Sequence, residues 1–264
     1  MSDAPLVLLS RSAGVGTITL NRPDKLNAVD DVMRKVMVSA VKDMVADKTV
    51  RVIVLTGAGR AFCAGGDIEH MRQLSAAGDM KAGTALVETG RALVMAIRKS
   101  GKPVIASVNG AAAGGGANLA LACDIRIASD RATIGQTFNR IGLVPDWGGS
   151  YFLPRLVGPA KALELVYNAD MIAAAEALRI GLFNRVVPHD DLPRETASYA
   201  QMLAAKPPKA LALAKRAIYR SGDATLPDML SLELKDQLAC FQSADAKEGL
   251  SAFLEKRPAV FRGS

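Results

Sequence analysis

The sequence predicts an α/β protein built on a mostly parallel sheet, and two stretches carry that prediction. A β-branched run at residues 50–55 passes through a small-residue segment at 62–68 into a polar, helix-like stretch at 69–74. The same order returns as a strand at 104–108, a small-residue loop at 109–116 and a buried helix at 117–123. Strand, loop and helix units in series imply right-handed crossovers between parallel strands. Composition agrees: 264 residues, 50% hydrophobic and 22% charged, are enough to bury a sizeable core. Only 3 Cys and 5% aromatic residues exclude a disulfide scaffold, and 23 Gly without a Gly-X-Y period exclude a collagen-like rod.

Taken in order, residues 6–10 and 15–20 are short apolar runs joined by Ala13-Gly14, which reads as a hairpin. A loop holding Arg22, Pro23, Asp24 and Lys25 follows. Asp30 is placed to cap a helix in which Val32, Met33, Val36, Met37, Ala40, Val41 and Met44 recur at three-and-four spacing, so its methionines belong to the core. The run at 50–55 is apolar at every position but Arg51 and ends at Gly57-Ala58-Gly59, as expected of a strand covered on both faces. Residues 86–98 read as a helix and 125–128 as a further strand. Beyond Pro159 the chain turns to Ala- and Leu-rich helical segments, interrupted once by Arg185-Val186-Val187-Pro188. A boundary near residue 200 is expected, dividing an α/β core (1–200) from a helical C-terminal part (201–264).

The excess of 33 Lys+Arg over 26 Asp+Glu is dispersed, with no run of five like charges. That pattern describes a solvated surface rather than a nucleic-acid or membrane footprint, and a phosphate-bearing ligand suits it too. The start Met1-Ser2-Asp3-Ala4-Pro5 lacks a basic region ahead of an apolar stretch, so a cytoplasmic protein is expected. Residues 103–123 are uncharged, yet Asn109, Asn118 and Gly114-Gly115-Gly116 argue for a buried strand, loop and helix rather than a membrane span. His70 and His189 with scattered cysteines offer no metal-ligand spacing. There is no Walker A string, and the glycine triplet lacks Gly-x-Gly-x-x-Gly spacing, so no metal or nicotinamide cofactor is expected.

The chemistry-bearing feature is the pair of small-residue loops, each following a strand and leading into a helix. Loops this small let a ligand approach the main chain, and a helix N-terminus adds free N–H groups and positive dipole. Two N–H groups converging on one oxygen would make an oxyanion hole; glycines there would equally permit close helix packing.

The string Asn21-Arg22-Pro23-Asp24-Lys25-Leu26-Asn27-Ala28 resembles the N-terminal loop of the crotonase, or enoyl-CoA hydratase/isomerase, family. Residues 62–68 resemble its first oxyanion loop, and Val108-Asn109-Gly110 through Gly114-Gly115-Gly116 its second. Further matches lie at 141–158, at 205–212 and from Glu248-Gly249 to Pro258, so the resemblance spans nearly the whole chain. It implies a spiral of ββα turns, a helical C-terminal region for trimer contacts, a homo-trimer or hexamer, and acyl-CoA thioesters as substrates, with coenzyme A part of the substrate and no separate cofactor. By position it implies that the Ala64 and Gly115 N–H groups hold the thioester oxygen. It places Gly65, Gly66, Asp67 and Ile68 along the CoA path, and makes Arg22 and Lys25 candidates for its phosphates. A solvated surface suits those two basic residues equally.

Departures from the family pattern narrow the reaction. Hydratases of the family carry one glutamate two residues after the glycine triplet and another in the segment following Gly-Gln; here those positions are Asn118 and Phe138. Orienting and deprotonating water is beyond Phe138, and Asn118 can only hydrogen-bond. One carboxylate remains in a telling place: Asp146, within Gly142-Leu143-Val144-Pro145-Asp146-Trp147-Gly148-Gly149. It matches the catalytic aspartate of family isomerases acting on dienoyl-CoA and on ring-opened phenylacetate intermediates. Apolar neighbours such as Trp147, Val144 and Phe138 would raise its pKa, although Asp after Pro145 also suits a turn. The expected function is an acyl-CoA isomerase, with a hydratase-like lyase or hydrolase using Asp146, or a catalytically silent acyl-CoA-binding subunit, as alternatives. Cys63 has no His partner in the sequence and His70 reads as a surface residue.

Overall fold

The structure is a computed structural model that describes residues 4–263. The reading of the leader rests on Met1, Ser2 and Asp3, which lie outside the described residues.

The chain opens with β1 (Val7–Ser12) and β2 (Val15–Leu20), paired antiparallel across Ala13 and Gly14. Both turn residues have positive φ, the requirement of a tight hairpin turn that matches strand twist. α1 (Asp31–Ala46) follows, its first turn capped by the Asp30 side chain accepting from the Met33 N–H. Its apolar stripe buries Met33, Met37, Ala40, Val41 and Met44. β3 (Val52–Gly57) lies parallel to β2. Alternation along β3 sends Ile53 and Leu55 to the main core, while Val52 and Val54 pack on the opposite face. The strand is covered on both faces, as its composition predicts.

Next come β4 (Ala61–Cys63), α2 (Ile68–Ala77) and α3 (Met80–Lys99), then β5 (Val104–Val108), β6 (Ala111–Ala113) and α4 (Gly115–Ala122). β7 (Ile125–Ser129), β8 (Thr133–Gly135), α5 (Gly149–Asn168), β9 (Met171–Ala173), α6 (Ala174–Arg179), β10 (Arg185–Val187) and α7 (Leu192–Ala204) complete the core. Each circuit adds a longer strand to a six-stranded sheet, ordered β1-β2-β3-β5-β7-β10, and a short one to a four-stranded sheet, ordered β4-β6-β8-β9. All neighbours pair parallel except β1 with β2 and β8 with β9. The result is the ββα spiral implied by the resemblance.

The short strands are where sequence and structure differ. The expected loop at 109–116 holds β6, and Cys63 and Phe62 of the expected loop at 62–68 belong to β4. Three residues are too few to show a period of two. α2 begins at Ile68 behind an Asp67 cap, and α4 begins two residues ahead of expectation, at Gly115.

α7 lies across the second face of the large sheet, where Leu192, Ala200 and Ala204 pack with Val52, Val54, Ile105 and Ile127. Residue 200 thus falls inside a helix seated on the sheet. α8 (Pro208–Arg220), α9 (Leu226–Phe241) and α10 (Ala244–Leu254) follow. α8 docks through Lys215, whose Nζ lies 2.8 Å from an Asp124 carboxylate oxygen and donates to the carbonyls of Ile97 and Lys102. Beyond it, α9 and α10 leave Leu226, Leu230, Leu234, Leu238, Phe241 and Phe253 largely exposed. Among the described residues no helix is long and apolar enough to cross a membrane.

Candidate active site

β4 and β6 are parallel neighbours in the small sheet, so the segments leaving their ends emerge side by side. Gly65 sits at their contact with φ +90°, and a Cβ there would stand 2.8 Å from the Ala113 carbonyl oxygen and 3.2 Å from the Gly115 nitrogen. Only glycine fits this conformation and this approach.

The backbone hydrogen bonds decide which amides are free. Ala64 donates to the Leu26 carbonyl at 3.0 Å, so its N–H is committed to the protein and is not the oxyanion donor expected from the sequence. Val29 donates to the Gly65 carbonyl at 2.8 Å, and Asp67 donates to the Val29 carbonyl at 3.0 Å. This parallel bridge, centred on Val29 and Gly66, leaves the Gly66 N–H facing away from it, with no acceptor among the described residues. Gly115 opens α4, where N–H groups have no intrahelical partner, and it too lacks one. Gly66 and Gly115 both line one cavity of about 370 Å³, together with Ile68, Phe138, Asp146 and Trp147.

The N-terminal loop holds this arrangement in place. Fully buried Asn27 donates its amide to the carbonyls of Ala58, Ala61 and Phe62 at 3.0, 2.8 and 3.2 Å, stapling the loop to the start of β4 and the turn before it. Arg22 is drawn into the same brace. Its Nη1 lies 2.7 Å from an Asp67 carboxylate oxygen, 3.1 Å from the Ala28 carbonyl and 3.4 Å from an Asp30 oxygen. Asp67 also caps α2 by accepting from the Glu69 and His70 N–H groups. Burial opposes ionisation of Asp67, but the Arg22 hydrogen bond and the helix amides outweigh it and hold the carboxyl below its ordinary range. Arg22 and Asp67 therefore brace the segment leaving β4 and are engaged with each other rather than standing free. Lys25 is exposed and forms no ion pair among the described residues.

Asp146 reaches the cavity from the segment between a 3₁₀ turn at Thr137–Ile141, which carries Phe138, and α5. Its carbonyl accepts from the Gly149 N–H and from Asn118 Nδ2, both at 2.8 Å. Asn118 is fully buried and its Oδ1 accepts from Gln136 Nε2 at 2.8 Å, so the residue at a hydratase glutamate position anchors the Asp146 backbone. Next to it, the Trp147 indole rests on α3 at Gly90, where a Cβ would fall 2.0 Å from Nε1. The Asp146 carboxyl is half-buried with no cationic partner among the described residues, and desolvation raises its pKa from 3.8 to about 6. It is the one carboxyl among the described residues that line the cavity.

Two other reactive side chains stay out of this chemistry. Burial pushes the Cys63 thiol up to about 12, which suits a packing residue. His70 is half-buried rather than on the surface, its Nε2 3.3 Å from Asp31 Oδ1. A residue that sequence reasoning passed over is Arg34, buried on the inner face of α1 and lining the cavity. Its signal was a charge within the apolar stripe, one position after Met33.

A family model described as Enoyl-CoA hydratase/isomerase matches residues 10–264. The chain belongs to the enoyl-CoA hydratase/isomerase family. It is 44% identical over 252 residues to a Rhodobacter capsulatus protein named "Probable enoyl-CoA hydratase", covering 96% of each chain. It is 40% identical over 250 residues to the 1,2-epoxyphenylacetyl-CoA isomerase of Escherichia coli, covering 95% of each. Among solved structures, the enoyl-CoA hydratase subunit I of Geobacillus kaustophilus superposes with a TM-score of 0.91 at 40% identity, covering 100% of both chains. Members of the family act on acyl-CoA thioesters. Membership alone leaves the choice between hydration and isomerisation to the residues of the site.

Proposed function

We propose that this member of the enoyl-CoA hydratase/isomerase family is an acyl-CoA isomerase, which shifts a double bond or rearranges a ring-derived acyl group through an enolate. The observation that carries the reading is Asp146, a lone cavity carboxyl with a raised pKa, where the two hydratase glutamate positions hold Asn118 and Phe138. The Asp146 carboxylate takes a proton from one carbon of the enolisable system, and the electron pair moves onto the thioester oxygen. The Gly66 and Gly115 N–H groups, the two unengaged donors of the loops, hold that charge. Protonated Asp146 then returns the proton two carbons away on the same face, leaving atoms and charge balanced. Lys25 is proposed to meet CoA phosphates, while Gly65 and Ile68 flank the acyl thioester. The enzyme needs no cofactor beyond the CoA that its substrate carries.

Hydratase names among the relatives favour a second reading, in which Asp146 activates water. A panel of 3-enoyl, 2-enoyl and phenylacetate-derived CoA thioesters separates the two. The expected result is a shifted double bond without accumulation of 3-hydroxyacyl-CoA. Hydration as the only reaction would replace the isomerase reading. Bound acyl-CoA with neither proton exchange nor turnover would make the protein a silent binding subunit.

The exposed stripe on α9, Leu226, Leu230, Leu234, Leu238 and Phe241, each more than half exposed, supports self-association into a homo-trimer or a hexamer of two trimers. Leu234→Glu is expected to convert the assembly to monomers in sedimentation velocity, and an unchanged assembly would place the interface elsewhere.

A further inference from the structure

Arg34 sits where an acyl cavity has no evident use for a charge. It belongs to the core-facing stripe of α1 and is 1% exposed, yet it lines the cavity beside Ile68, Met71, Leu86 and Val87. One guanidinium nitrogen, Nη2, pairs with the Asp31 carboxylate. The Nε is buried and has no acceptor among the described residues. A buried donor without a partner is costly, and a charged one more so. The catalytic reading leaves this group unexplained, since the oxyanion loops and Asp146 act without it.

We infer that Arg34 makes the cavity selective for acyl groups bearing a neutral oxygen acceptor, such as a hydroxyl, ether or carbonyl, beyond the reacting carbons. The inference rests on the reading of the cavity as an acyl-CoA site. Asp31 already neutralises the guanidinium, so a second carboxylate gains little there and is repelled by the first. A neutral oxygen completes the hydrogen bonding without adding charge. A plain hydrocarbon chain displaces water from the cavity and offers the guanidinium no acceptor beyond Asp31, so discrimination falls on the analogue that lacks the oxygen.

The test is calorimetric binding to the full-length protein of saturated acyl-CoA thioesters over a range of chain lengths, each alongside its ω-hydroxy and ω-carboxy counterparts. Saturated thioesters do not isomerise, so the result does not depend on turnover. At the length that reaches Arg34, the ω-hydroxy thioester is expected to bind at least about tenfold tighter than the hydrocarbon, and tighter than the ω-carboxy form. Arg34→Met is expected to abolish this preference, and Arg34→Gln, which keeps a donor, to retain part of it. Equal affinities in the wild type at every length would overturn the inference, as would a preference that survives in Arg34→Met or tightest binding of the ω-carboxy form. Failure to bind any of the thioesters would overturn it together with the reading of the cavity, whereas binding with equal affinities would overturn it alone.

Discussion

Asp146→Asn is expected to lower isomerisation by at least about 100-fold while leaving acyl-CoA affinity within a few-fold of the wild type. The amide has nearly the shape of the carboxyl but cannot accept a proton at the α carbon. For the wild type, kcat/KM is expected to rise tenfold per pH unit below about 6 and to level off above it, because the base must be ionised and desolvation holds its pKa near 6. The same desolvation links activity to stability. A carboxyl whose pKa is about 6 in the folded protein and near 3.8 in the unfolded chain binds more protons when folded, so stability falls as pH rises from about 4 to about 6. Above pH 6 the folded state carries an ionised, half-buried group at a cost of roughly 1–3 kcal/mol, reduced at the lower end by contact with solvent. Asp146→Asn is therefore expected to melt higher than the wild type at pH 8 and to show no such gain at pH 4. A variant less stable than the wild type at both values would mean that the carboxylate is structural.

Gly65→Ala is expected to cost about 100- to 1000-fold in kcat, the range observed when one oxyanion donor is lost. The new methyl cannot be placed without moving the Ala113 carbonyl or the Gly115 amide, and φ +90° is disfavoured for alanine. Backbone strain alone accounts for about 1–3 kcal/mol of stability, so the fold is expected to persist. Difference infrared spectra of a bound thioester give an independent readout. The carbonyl stretch is expected to move to lower frequency in the wild type and to remain near its solution value in the variant. A folded Gly65→Ala protein with full activity would show that these two loops do not polarise the thioester.

The large sheet was legible because its strands carry strong local signals. Val52–Leu55 is apolar at every position, the hairpin turns at Ala13-Gly14, and Asp30 caps a helix whose methionines recur on one face. The small sheet was hidden because β4, β6, β8 and β9 are three residues long, held by pairing with strands distant in sequence. At the site, sequence and family resemblance pointed to the two small-residue loops but chose Ala64, whose amide the fold engages with Leu26. Ala64, Gly65 and Gly66 are consecutive small residues, and which amide faces the cavity depends on Leu26 and Val29, whose main chain pairs with the segment from across the fold. Arg22 looked like a phosphate ligand because its three carboxylate and carbonyl acceptors assemble only when the loop folds over α2. Asn118 looked like a missing glutamate, and the fold gives it a positive task in holding the Asp146 backbone.

Whether one carboxyl carries the proton in both directions is tested most directly by the fate of a label. A 3-enoyl-CoA deuterated at carbon 2 would be converted in ordinary water, and the first-turnover product analysed by NMR and mass spectrometry. A single Asp146 shuttle predicts deuterium at carbon 4 of the 2-enoyl product in a measurable fraction, with neither product nor label transfer above background in Asp146→Asn. First-turnover product carrying only solvent hydrogen at carbon 4, formed just as fast by Asp146→Asn, would contradict the account and assign the proton transfers to other groups.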